Sequence, residues 1–246
     1  DLVSAWRRSQ AVGKGRAAAA VGLCSLLAGC GGGGEVAVAQ TGQCRVAQRL
    51  VSMPAAIPEA SGAAMSPSLV GVFWTHNDSG SPPAVYALNM RGEHLGKYVL
   101  HGCTDGDWED IALGPGPAPG QDYLYVGAIG DNRARRESRS ICRFPEPSVT
   151  PGEGPVNLDI HDVEVLRFSY PDGSHDAETL MLDPVSGDLL VVTKRVNPVG
   201  VYRLSPIFGA AEVQRAEHVV GLRMKYVTGG DISPAGSEIL IRTYTA

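Results

Sequence analysis

The chain reads as an all-β protein, a β-propeller of four-stranded blades with about four blades visible. Strand-like runs dominate after residue 60, at 70–74, 123–126, 189–193 and 239–241. Each is short and rich in β-branched or aromatic residues, and turn residues bound most of them. The runs fall into a repeated unit with a period of about 45 to 65 residues, which suits propeller blades. No long stretch shows helical period with caps.

The elements follow in order. Arg7, Arg8, Lys14 and Arg16 form a basic n-region, and 17–28 is an apolar h-region that ends in Leu27-Ala28-Gly29-Cys30. That h-region is too short for a stable membrane anchor. The ending resembles the lipobox of bacterial lipoproteins, which implies cleavage before Cys30 and lipidation of its thiol. An ordinary secretory signal cut near Ala39 is the other reading. On the lipoprotein reading, 1–29 is the signal peptide. Residues 30–45 carry the lipidated Cys and a tether, in which Gly31 to Gly34 supply flexibility. Residues 46–246 are a partial propeller domain. The chain starts with Asp, so a longer start is expected. Cys44, Cys103 and Cys142 remain in the mature part, and export permits a disulfide. Cys103 with Cys142 is the favoured pair, because each lies beside the same repeat unit.

Unit one holds 63–67, 70–74 and 85–88. Unit two starts at 107–112 and continues with 123–126 and 141–144. Unit three holds 176–180, 189–193 and 201–204, and unit four holds 230–234 and 238–242. Turns at 183–187 and 233–236 join the first two strands of units three and four. A V-Y-x-L strand is expected at the outer edge of a blade. Residues 145–171 read as an insertion or an extra strand pair, with a strand at 163–168. Unit four stops after its second strand, so a complete ring of six or seven blades is expected in a longer chain.

Several strings resemble a functionally uncharacterised bacterial family of exported propeller lipoproteins. They are THNDSG at 75–80, DWEDIA at 107–112, YVGAIGDN at 125–132, DAETL at 176–180, TKR at 193–195 and VTGGDIS at 227–233. A more distant likeness is to esterase-like phytase and quinoprotein-like propellers. The resemblance implies the fold and leaves the chemistry open, since one fold hosts many functions.

The chemistry is expected among the acids. Glu109, Asp110, Glu178 and Asp231 fall at the start of the innermost strand of successive units. Asp78 and Asp131 follow the second strand, beside Asn77 and Asn132. Gathered at one mouth, they would offer the hard oxygen donors that calcium takes, so the cofactor reading is calcium or none. Paired carboxylates would also suit acid–base work, with His76 and His175 beside them as proton carriers. Lys194 and Arg242 take the matching place in units three and four and would bind an anionic group. The competing reading makes every one of these a turn cap or an ion pair between blades. Trp74 and Trp108 read as core plates between blades. Arg133, Arg135 and Arg136 form a solvated loop or a contact for anionic lipid or substrate.

Composition narrows the function classes. Hydrophobic residues at 43% and charged residues at 19% describe a globular chain. A net charge of -5 argues against nucleic acid as a partner. No apolar run is long enough for a permanent membrane helix. No G-x-S-x-G elbow is present, no helix follows the glycines at 127–130, and no quinone-cofactor motif appears. Two classes stay open. One is a lipid-anchored binding or scaffold module at the outer face of the bacterial membrane or cell surface, with a protein, glycan or small molecule as partner. The other is a calcium-dependent hydrolase of phosphoester or lactone bonds.

Overall fold

The computed structural model describes residues 52–244, apart from 79, 104, 105, 151, 153 and 196. The signal segment, Cys30, the tether and Cys44 lie outside the described residues. Among the described residues, every regular element is a strand.

The first sheet starts with β1 (Ala60–Met65), β2 (Val72–Asn77), β3 (Ala84–Asn89) and β4 (His94–Leu100), each antiparallel to the one before. The second holds β5 (Asp110–Pro115), β6 (Asp122–Ala128), β7 (Arg139–Pro145) and β9 (Glu164–Ser169). The third holds β10 (Ala177–Leu182), β11 (Leu189–Thr193), β12 (Val199–Leu204) and β14 (Glu217–Leu222). The fourth pairs β15 (Val227–Ile232) with β16 (Ile239–Thr243).

Two further strands strap neighbouring sheets together. β8 (Val156–Ile160) leaves the second sheet between its third and fourth strands and pairs in parallel with β4 of the first. β13 (Gln214–Arg215) leaves the third sheet at the same point and pairs in parallel with β9 of the second. The segment 145–171 is therefore a strap followed by the fourth strand of its own sheet. The V-Y-x-L strands are third in their sheets, not outermost. The outer places belong to β4, β9 and β14, whose faces are partly exposed and whose sequences carry a weaker apolar signal.

The sheets stack face to face. Trp74, Tyr98, Trp108, Val126 and Phe144 pack between the first and second. Tyr125, Ile141, Phe168, Leu180, Val191 and Tyr202 pack between the second and third. Met181, Val192, Val201, Val227 and Ile241 pack between the third and fourth. A middle strand thus has core on both faces. In β6, Leu124 and Val126 face one neighbour while Tyr123 and Tyr125 face the other. That is why β6 and β11 read as continuous apolar runs without alternation. Trp74 and Trp108 are buried in this core, as their strand positions predict, and the Trp74 indole donates to Glu146 at 2.7 Å.

Cys103 and Cys142 are disulfide-bonded with Cα atoms 5.8 Å apart, as favoured from their positions. The turn after β10 is closed by Gly187 N–H to Asp183 C=O, and that after β15 by Gly236 N–H to Ser233 C=O. Both glycines take positive φ, where a Cβ would be strained. The first strands β1, β5, β10 and β15 run side by side, so their starting ends meet.

Candidate functional site

At that shared end the chain forms a cleft of about 350 Å³. The starts of the first strands supply Ser61, Glu109 and Glu178, and the ends of the second strands supply Asp78, Lys194 and Arg242. Glu59, Asp107, Asn132, Thr228 and Tyr244 also line it. Two groups of carboxylates meet at it, each with oxygens no more than 4.8 Å from one another, and all their members but Asp176 line the cleft. They are Asp78, Asp107 and Glu109, and Glu109, Asp176 and Glu178. Glu109 belongs to both.

Glu109 is 5% exposed, yet its carboxylate accepts no hydrogen bond from a described residue. Burial, with Glu178, Asp107 and Asp78 adding to it, pushes its pKa up to about 9. A buried acid without donors favours its neutral form or a counter-cation. Gly130 gives it room. A Cβ there would stand 2.2 Å from Glu109 Oε1 and 2.6 Å from the Asp107 carboxyl. Gly130→Ala should cost about 1–3 kcal/mol of stability, because the added methyl must displace both carboxylates. The same change should weaken any cation effect on melting, and a calcium titration read by thermal unfolding would check it.

Glu178 differs. Burial raises its pKa, but Lys194 pairs with it directly and opposes the rise. Burial works against the Lys194 charge, and Glu178 more than offsets that, so the ammonium pKa stands above its usual value. Asp176 bridges sheets: it accepts the Asp131 N–H at 2.8 Å and the Arg195 guanidinium at 2.7 Å. Arg242 lines the cleft from within β16, where its guanidinium donates to Thr228 Oγ1 at 3.1 Å and Thr228 C=O at 2.8 Å.

The remaining sequence candidates stand elsewhere. Asp110 is 3% exposed and accepts the N–H groups of Leu180 at 2.9 Å and Ile111 at 3.0 Å. Burial raises its pKa to about 8 against those bonds. It ties β5 to β10. Asp231 accepts the Ile232 N–H at 2.8 Å in the same way. Asp131 pairs with buried Arg139 at 2.6 Å and accepts two loop N–H groups, from Arg135 at 2.5 Å and Arg136 at 2.7 Å. Burial opposes its charge, but these partners win and hold its pKa below the usual value. None of these three carboxylates lines the cleft.

His76 is fully buried, and burial lowers its pKa to about 4, so it is neutral beside the Trp108 ring. His175 bonds Asp172 and Tyr202 at 3.0 Å each, away from the cleft. Arg133, Arg135 and Arg136 sit in an exposed loop.

Asp107 and Asp176 were not singled out by sequence, although a signal existed. Each stands two residues before a glutamate, in D-W-E and D-A-E. In extended backbone, residues i and i+2 point to one side.

These features define a class: an all-β protein of propeller-like blades with an acidic cleft at one end of its first strands. No protein-family model matches the chain, and no curated protein does. Among solved structures, the Dos1 propeller matches with a TM-score of 0.30 and 10% sequence identity, over 72% of this chain and 64% of that one. The chain thus spans less than two thirds of that structure's length, and no argument rests on a likeness of that size.

Proposed function

We propose that the protein is an exported, lipid-anchored β-propeller that acts as a binding module at the bacterial cell surface, with calcium held in its acidic cleft. The observation that carries the binding role is Glu109, a buried carboxylate that accepts no hydrogen bond from a described residue and shares one cleft with Glu59, Asp78, Asp107 and Glu178. Carboxylate and amide oxygens of this kind are calcium ligands. Export is supported by the basic and apolar segments before Cys30 and by the Cys103–Cys142 bond, since disulfides persist in oxidising compartments.

Thermal unfolding with calcium and then with excess chelator tests the cleft. Calcium at about a hundred times its dissociation constant should add about 2.7 kcal/mol. An unchanged midpoint sinks the calcium role. Fractionation of a bacterial host tests the anchor: Cys30→Ser should move the protein from membrane to soluble fractions, and an unmoved distribution rejects lipidation.

One observation favours the hydrolase alternative. Glu109 is buried and faces the cleft, and a pKa pushed up to about 9 by that burial would keep it protonated through the neutral range, as a general acid requires. Turnover of phosphoester or lactone substrates that is lost in Glu109→Gln would replace the binding reading with the enzymatic one.

A further inference from the structure

The two acid groups of the cleft are not equivalent. The group of Asp176 and Glu178 has cations of its own: Lys194 on Glu178 and Arg195 on Asp176. Lys194 is only 9% exposed and is held between Glu178 and the Tyr244 ring, 5.4 Å from the ring centroid. Its ammonium therefore stands on the Glu178 carboxylate that a second metal ion would need. On the other side, Glu109 is 5% exposed, faces the cleft and accepts no hydrogen bond from a described residue. Gly130, having no Cβ, lets the Glu109 and Asp107 carboxylates pack together against its backbone.

Resting on the calcium reading above, we infer that the cleft takes one divalent cation, on Asp78, Asp107 and Glu109, and that Lys194 occupies the second position as a permanent cation. Three carboxylates supply three to six oxygens, which leaves positions for water or for oxygens of a ligand in the cleft. Lys194 also limits the charge repulsion that two adjacent divalent ions would add.

Calcium titration calorimetry on the 246-residue chain, checked by terbium luminescence, reads the stoichiometry. The parent should bind one ion. Asp107→Asn and Glu109→Gln should each weaken binding at least tenfold. Lys194→Met and Lys194→Gln should each bind two, because the Asp176 and Glu178 side loses its ammonium. Lys194→Arg keeps the charge and should stay at one. Circular dichroism confirms that each variant is folded, and two neutral replacements guard against one failing. A parent that binds two ions, or folded neutral variants that still bind one, overturn the inference and leave the calcium reading standing. A parent that binds no ion overturns both.

Discussion

Replacing Cys103 and Cys142 together by alanine should destabilise the domain by about 4 kcal/mol, the chain-entropy figure for a loop of this length. The two residues are 39 positions apart, so the bond closes a long loop in the unfolded chain. Cys142 is fully buried in β7 and Cys103 follows β4, so the bond ties the first sheet to the second through their shared core. For a domain of this size, the loss lowers the melting temperature by on the order of 10 °C. Urea unfolding under oxidising conditions measures it. Added reductant should lower the parent's midpoint and leave the double variant's unchanged. Equal midpoints for parent and variant without reductant would sink the prediction, and with it the disulfide's support for export.

Glu109→Gln should stabilise the metal-free protein, and more so as pH rises. The folded-state pKa of Glu109 is raised from 4.5 to about 9. The folded state therefore holds a proton that the unfolded state has lost. A raised pKa contributes stability that is complete below pH 4.5 and fades as pH rises toward 9. Glutamine does not titrate, so the variant lacks this decline. At pH 7 the gap should reach at most about 3 kcal/mol, with some reduction for relaxation around the site. Asp110 declines with the same sign toward about pH 8, but it is present in both proteins and cancels in the comparison. Excess calcium should reverse the order, because only the parent gains from binding. Chemical unfolding at several pH values in chelator measures the gap, and parallel curves for the two proteins would refute it.

These two results test different levels of the structure. The disulfide was legible because each cysteine flanks the same repeat unit. Glu109 was legible because acids recur at the start of the innermost strand in successive units. Its partners were less so. Asp107 and Asp176 share its side of the chain only once the segment is known to be extended. Asp131 looked equivalent to Asp78 by position, yet Arg139, eight residues on, claims its carboxylate. Asp110 looked like a ligand, yet it accepts the N–H of Leu180, 70 residues away. Local sequence carries the acid and not the donor that reaches it from another sheet.

The sequence by itself determined the strand content, the repeated unit and the turns, because these follow from side-chain shape, two-sided burial and backbone preference within a few residues. It also placed the acids at one end of each unit. Tertiary structure alone decided which strand is outermost, where the β8 and β13 straps attach, and which acids face the cleft instead of a neighbour's backbone. Those choices depend on pairings between distant segments, whose hydrogen bonds leave no local periodicity to read.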